Sequence, residues 1–411
     1  MRGKVTGFWR DLRKYGLSHC ELEDMLTNVT VLLRTVTLNI DIRSTKPIPL
    51  ISYVLTIVGF VFYFYIYLVS MIWCAFVRYR RMRYFLGSII VFSVGAYTES
   101  CAIRFLFMAF NTDVLREVVA RYRICNSQVE PGSRLARNIL KHLKSVKKRA
   151  IFIWLALVIN AYLYLVLPFF LPGKQFAENR LIIFGLEPIT ESPNYEIAQL
   201  MYCFAIPTAT NSLANCTALM IILLGYTEAQ LLALSEELRS MWSDAEIYYQ
   251  ERADREENRT VVINDYVRER LKFIIKLHNE NIDLLKRLEH VLRVSMALEF
   301  IVLMAGLIAA LLGGIENTYL EIPFAFAQLF MNCYLGQKII DSSTTFEKAV
   351  YDCGWENLDH SNMRTVLIVL QNSQKTLRLS AGGVAILSFE CLMSVIKSCY
   401  SFYTTLQSTL K

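Results

Sequence analysis

The residues whose types and spacing carry chemistry lie at the end of the chain. Glu390, Ser394, Lys397, Ser401, Thr405 and Ser408 follow one another at steps of 4, 3, 4, 4 and 3. That spacing sets all six on one face of an α-helix. At about 1.5 Å per residue the stripe covers about 27 Å, most of a bilayer core. Polar groups at membrane depth must find a protein partner or water. Two readings fit the stripe: Ser and Thr bonding the backbones of closely packed helices, or a helix face along an aqueous path. Neither is bond-making chemistry. Five histidines are scattered without metal spacing, ten cysteines include no CxxC pair, and no phosphate-binding glycine loop or GxSxG elbow occurs. An enzyme is not expected, nor a metal or a cofactor.

The elements around the stripe place it in a membrane. The 411 residues are 54% hydrophobic, with a mean hydropathy of +0.35. Ile48 to Val77, Ala150 to Gly173 and Ile197 to Thr227 hold no charged residue for 30, 24 and 31 positions. Each run exceeds the roughly 20 residues that a spanning helix needs. The predicted fold is all-α, with seven transmembrane helices near 48–77, 84–110, 150–172, 197–225, 294–315, 320–338 and 379–410. The opening 46 residues lack the short apolar core of a signal peptide, so the first span is expected to serve as its own insertion signal. The second span carries Glu99 and Arg104, which mark either a pathway or a structural pair.

Charge sets the expected orientation. Of 43 Lys and Arg residues, 34 fall in segments 1–47, 111–149, 226–293 and 338–378, and only 7 in the alternate segments. Positive loops stay in the cytoplasm, which predicts a cytoplasmic N-terminus and an extracellular C-terminus. Arg78, Arg80, Arg81 and Arg83 run against this rule. The inverted order argues against a G-protein-coupled receptor and against a G protein as partner. The net charge of +7 follows the membrane and gives no reason to expect nucleic acid. The domain plan is a cytoplasmic segment 1–47, helices one to four over 48–225, and a helical extension over 226–293. Helices five and six follow over 294–338, then an anchor segment 339–378 and the last helix 379–411. Apolar residues recur at helical spacing through 226–293 and again in Val366 to Leu370. Helices four, five and seven are therefore expected to continue into the cytoplasm as a packed subdomain.

The segment Thr344-Thr-Phe-Glu-Lys-Ala-Val-Tyr-Asp-Cys-Gly-Trp355 resembles the C-terminal signature of insect odorant receptors, with Ala349, Tyr351 and Trp355 at the matching places. Leu379-Ser-Ala-Gly-Gly-Val, Leu387-Ser and Tyr400-Ser-Phe-Tyr-Thr-Thr-Leu are similar to the same family. The resemblance implies an odour-tuned subunit of a ligand-gated, non-selective cation channel. It implies four subunits around a pore lined by the last helix, a common co-receptor in the heterotetramer, and a small volatile ligand among spans two to six in the outer half of the membrane. It also implies a plasma-membrane location in the dendrite of an olfactory neuron. It places Ser401, Thr405 and Ser408 on the pore wall, with Thr405 at the narrow gate, and Tyr351 and Trp355 in the anchor and assembly. Lys397 is awkward in a cation path and is expected to face a subunit seam or pair with Glu390.

Aromatic residues make up 12% of the chain. The candidate ligand contacts, chosen for depth and type, are Phe92, Tyr97, Tyr162, Val166, Phe204, Thr208, Phe326 and Phe330. A volatile apolar ligand gains mainly from burial and ring contact, with one or two polar anchors. Plain helix packing is the competing role for each. Two alternative functions stand beside the odorant channel. A gustatory channel typically shows Thr-Tyr and Gln-Phe where this chain has Ser401-Phe402 and Gln407-Ser408. A secondary transporter needs internal repeats that this sequence does not display.

Overall fold

A chain this apolar has to bury its helices against one another, and the fourth span shows how. In the computed structural model it is the 57-residue helix Asn194–Gln250, about 86 Å long at 1.5 Å per residue. It therefore overruns a bilayer core of about 30 Å by a wide margin. Every residue from Ser212 to Leu231 is buried. A helix apolar on all sides belongs at the centre of a bundle, and this one holds that place. The structure describes residues 15–44, 47–170, 172–176, 180–251, 258–319 and 321–410.

In chain order the helices are α1 (Leu22–Thr35), α2 (Leu50–Arg81), α3 (Phe85–Phe110), α4 (Thr112–Ser127), α5 (Arg134–Phe170), α6 (Asn194–Gln250), α7 (Arg259–Gly313), the short α8 (Ile315–Thr318), α9 (Glu321–Tyr351), α10 (His360–Ser373) and α11 (Phe389–Leu410). Among the described residues, α2, α3, α5, α6 and α7 are long and apolar enough by composition alone to cross a membrane. α9 and α11 supply the remaining two spans of the seven-helix plan, and α11 is 22 residues long, enough for about 33 Å. Side-chain caps fix several starts. Ser133 accepts from the Ala136 amide, Asn258 from Thr260 and Asp359 from Asn362.

α6 and α7 extend well past the membrane-length part of the bundle at one end, here the long-helix end. Buried Glu237 of α6 joins three helices there. It accepts from Arg134 of α5 at 2.9 Å and also from Arg270 of α7. Burial alone would raise the Glu237 carboxyl, but the two guanidiniums outweigh it and hold it below the usual carboxylate value. Asn264 of α7 is bonded to Asn362 of α10 through its carbonyl at 2.9 Å. The expected helical extension over 226–293 is therefore the end of α6 and the start of α7.

Within the expected cytoplasmic segment 1–47, α1 is amphipathic and buries Leu22, Met25, Leu26, Val29 and Leu33 in the main core beside α6. Asn215 of α6 donates to the Leu32 carbonyl at 3.1 Å, near the C-terminal end of α1. The last helix does not begin at the expected residue 379. Ser380–Ala381 and Ala385–Ile386 form an antiparallel hairpin instead, and α11 starts at Phe389. Gly382 and Gly383 hold φ of +67° and +78° in the hairpin loop, a conformation open to glycine and costly for other residues. The Gly382 amide bonds the Arg293 carbonyl of α7 at 2.9 Å. The separate helix α10 replaces the expected extension. All six stripe residues still lie within α11.

A candidate ligand cavity and a polar helix face

Five helices enclose a cavity of about 100 Å³. Tyr63 and Tyr67 come from α2, Val94 and Tyr97 from α3, Asn160 and Tyr164 from α5, Ile206 and Thr210 from α6, and Glu321 and Phe324 from α9. Aromatic rings with a few polar groups make up the wall, the composition expected of a small-molecule site. A smaller space of about 30 Å³ shares Tyr67, Val94, Tyr164 and Ile206 with it and is closed by Phe176 and Leu181 from the segment joining α5 and α6. Phe176 packs its ring 5.3 Å from Tyr202 of α6.

Three polar groups stand out. Tyr97 is 3% exposed, and its hydroxyl has no hydrogen-bond partner among the described residues. Tyr63 donates to the Thr98 carbonyl. Glu321 is 5% exposed and sits in the first turn of α9, where the helix dipole favours a carboxylate. Ser93 Oγ lies 2.7 Å from Glu321 Oε2 and 2.8 Å from the Ile90 carbonyl.

Arg104 is buried seven residues further along α3 than Tyr97. Its Nε donates to Glu299 Oε1 at 2.9 Å, and its Nη2 donates to Glu299 Oε2. Thr217 accepts at 2.8 Å and Asn332 at 3.1 Å. The structural-pair reading of Arg104 holds, and the network joins α3, α6, α7 and α9. Glu99 stays outside it, with a buried Oε1 that has no partner among the described residues.

Of the eight candidate contacts, Tyr97 lines the cavity. Phe92, Tyr162, Val166, Phe204, Thr208 and Phe326 do not, although each lies two residues from one that does: Val94, Tyr164 (for both Tyr162 and Val166), Ile206, Thr210 and Phe324. Two residues rotate a helix position by about 200°, to the opposite face. Phe204 instead meets Phe62, with centroids 6.2 Å apart. Thr208 packs on Gly59 of α2, where an added Cβ would fall 2.1 Å from its Oγ1. Phe92 lines a separate groove with Arg80 and Arg83. Phe326 and Phe330 belong to an aromatic ladder in which Phe330 and Tyr334 of α9 each lie 6.2 Å from Phe389, the first residue of α11. The lining residues Asn160, Thr210 and Glu321 were legible only as polar residues in or beside apolar runs.

All six stripe residues of α11 are exposed, while Leu392, Val395 and Cys399 on the other side are buried. The stripe thus points away from the subunit's own bundle. Thr405 Oγ1 is satisfied locally by the Ser401 carbonyl at 2.9 Å, and Ser408 Oγ by the Thr405 carbonyl at 2.7 Å. Glu390 and Lys397 form no ion pair with each other among the described residues. At the long-helix end Tyr351 and Trp355 are 61% and 39% exposed, and Leu367 and Ile368 of α10 are 53% and 51% exposed. Of the basic cluster, Arg78 pairs with Glu187 and lies 5.7 Å from the Trp73 ring.

An all-helical membrane bundle with an internal aromatic cavity and an unburied polar helix defines the class. The profile of the 7tm odorant receptor family matches residues 84–400, and the chain belongs to that family. It is 26% identical to odorant receptor 13a of Drosophila melanogaster over 34% of this chain and 38% of that protein. It is 28% identical to the odorant receptor coreceptor of Ooceraea biroi over 21% of this chain and 18% of that one. These matches span well under half of the relatives' lengths. The fold is similar to the insect olfactory receptor OR5 from Machilis hrabei at 14% identity and a TM-score of 0.72, covering 94% of this chain and 98% of that one. The same receptor in complex with eugenol gives a TM-score of 0.73 at 13% identity. That fold is the seven-transmembrane helical one.

Proposed function

We propose that this chain is an odour-tuned subunit of a ligand-gated, non-selective cation channel, assembled with the common co-receptor as a heterotetramer. The observation that carries this reading is the stripe of α11. Glu390 to Ser408 is a membrane-length polar face turned away from the subunit's own bundle, so its partners are water and other subunits. Ser401, Thr405 and Ser408 form the pore wall with Thr405 at the gate, and Lys397 lies at a subunit seam. The small volatile ligand occupies the Tyr97 cavity, in keeping with a relative whose structure holds eugenol. The coreceptor relatives support the choice of partner. The positive segments support a cytoplasmic long-helix end, with the cavity in the outer half of the membrane and the C-terminus outside, and the family supports the plasma membrane of an olfactory dendrite.

A route from the cavity to the proposed pore fits the helix contacts. Phe324 of α9 lines the cavity, and the same helix stacks Phe330 and Tyr334 on Phe389 at the head of α11. A ligand that binds one position of α9 better than another shifts that helix's population, and the ladder passes the shift to the pore helix. In cells expressing the chain with and without the co-receptor, an odorant panel is expected to evoke cation current only when both are present. Thr405→Phe or Ser408→Lys should change conductance or ion selectivity. Solute uptake without current, or both substitutions leaving permeation unchanged, would overturn the channel assignment.

A further inference from the structure

The basic turn that runs against the charge rule has a groove beneath it. α2 ends at Arg81 and α3 begins at Phe85, at the end of the bundle away from the long-helix end. Side chains of α2, α3 and the last turns of α7 form an open groove of about 690 Å³ there. Phe76, Phe85, Ile89, Phe92, Ile308 and Leu312 supply apolar walls, and the charged residues that line it are Arg80 and Arg83. We propose that this groove is a site for an anionic phospholipid, with an acyl chain along the apolar wall and the lipid phosphate between Arg80 and Arg83. The inference rests on the helices crossing a membrane and not on the channel reading, so its failure would leave that reading in place.

Three observations carry it. The Arg80, Arg81 and Arg83 side chains are exposed, and none has a hydrogen bond or ion pair among the described residues, whereas neighbouring Arg78 is paired with Glu187. No carboxylate lines the groove among the described residues. An anion that enters therefore meets only positive charge, and a guanidinium fits a phosphate through two parallel bonds. Phe76 and Phe85 are 60% and 61% exposed, so these rings point out of the subunit. A groove that is apolar along the helices and cationic at their ends matches an amphiphile of the same order, and arginines at a helix end reach the headgroup level. The third observation is the backbone of Arg83, which closes α2 with φ +55°. Its amide bonds the Arg80 carbonyl at 3.2 Å, and the Tyr84 amide bonds the Tyr79 carbonyl at 3.0 Å. In that pattern the left-handed place usually falls to glycine. A side chain kept there at a backbone cost has a use. The helix dipole accounts for cations at Arg80 and Arg81, but not for this choice. A zwitterionic headgroup would bring its own ammonium into a turn with three unpaired arginines, so an anionic one is preferred.

Native mass spectrometry tests this on the solubilised chain, alone and in the proposed complex with the co-receptor. The probe is mixed micelles holding phosphatidylglycerol and phosphatidylcholine in equal amounts. Both forms are expected to retain phosphatidylglycerol over phosphatidylcholine by roughly fivefold. Arg80→Gln with Arg83→Gln should bring that ratio close to one. Ala305→Phe, which fills the groove from α7, should lower the retained phosphatidylglycerol with both arginines in place. Arg83→Gly suits the left-handed position, so it should weaken the preference while melting in lipid-free detergent no lower than wild type, which separates lost binding from lost folding. Equal retention of the two lipids by wild type, or a ratio unchanged in the double glutamine variant, would overturn the inference. Retention by the single chain but not by the complex would put a neighbouring subunit on this face and overturn it as well.

Discussion

Arg104 shows how single residues behave in this bundle. A guanidinium in a membrane helix is expensive, yet here every donor direction that matters is used. Glu299 takes two bonds, and Thr217 and Asn332 take one each. Both side chains of the ion pair are 2% exposed. Desolvation offsets much of the attraction in such a pair, so its presence is weak evidence of stabilisation, but removing one partner strands the other. Arg104→Met alone is expected to lower the thermal stability of the solubilised protein substantially, by about 3–5 kcal/mol. The double variant Arg104→Met, Glu299→Leu should recover most of that loss, since two apolar groups of similar size leave no buried charge. Thermal melts of wild type, both single variants and the double variant test this. A double variant no better than Arg104→Met alone would mean that the network contributes through its bonds to Thr217 and Asn332 rather than through the pair.

At the scale of elements, the α7–α9 contact carries a pH dependence. His278 of α7 stacks on Phe346 of α9 with centroids 4.1 Å apart. Burial pushes its imidazole down from the ordinary 6.5 to about 4, because a desolvated ring resists charging. The unfolded chain therefore binds this proton before the native one does. The stability contributed by neutral His278 is complete above pH 6.5 and is lost as pH falls from about 6.5 towards 4, a window worth roughly 3 kcal/mol in full. The melting temperature of the solubilised protein should fall across that window, and His278→Phe should remove that part of the fall. An unchanged pH profile in the variant would assign the effect to other groups. The same scale shows what the sequence could and could not tell. Helix existence was legible because unbroken apolar runs such as Ile197 to Thr227 admit no other state in a membrane. Rotational phase was not. Phe92, Tyr162, Phe204 and Phe326 had the right depth and type, but a helix apolar on every side has no periodic signal to say which face looks inward. Tyr97 was chosen on the same depth and type, and its place on the cavity wall is a matter of helix phase that the sequence does not show. The Gly382-Gly383 pair held a turn signal of its own, outweighed in the reading by the apolar run that follows.

For the molecule as a whole, the surface left uncovered by one subunit indicates what an assembly must bury. Exposed apolar side chains grouped at one end of a soluble subdomain mark an interaction surface. Tyr351 and Trp355 beyond α9 and Leu367 and Ile368 on α10 form such a group at the long-helix end. The inward residues of the same helix, Val366 and Val369, are already buried in the core, so the outward pair adds nothing to the subunit's own packing. The α11 stripe lies on the other part of the molecule, and in the proposed channel its polar groups face water and bring little apolar burial to association. Assembly should therefore depend on the cytoplasmic contact, and permeation on the stripe. Leu367→Ser with Ile368→Ser changes exposed positions only, so the monomer should melt within about 0.5 kcal/mol of wild type while its share of the proposed tetramer with the co-receptor falls sharply. Mass measurement of the solubilised complex reads the tetramer, and current reads the loss of channels. Thr405→Phe should do the opposite, leaving the tetramer intact while altering the current. If the paired serine variant still assembled fully, the contact between subunits would lie along the membrane helices instead, and the stripe with Lys397 would become part of a dry seam.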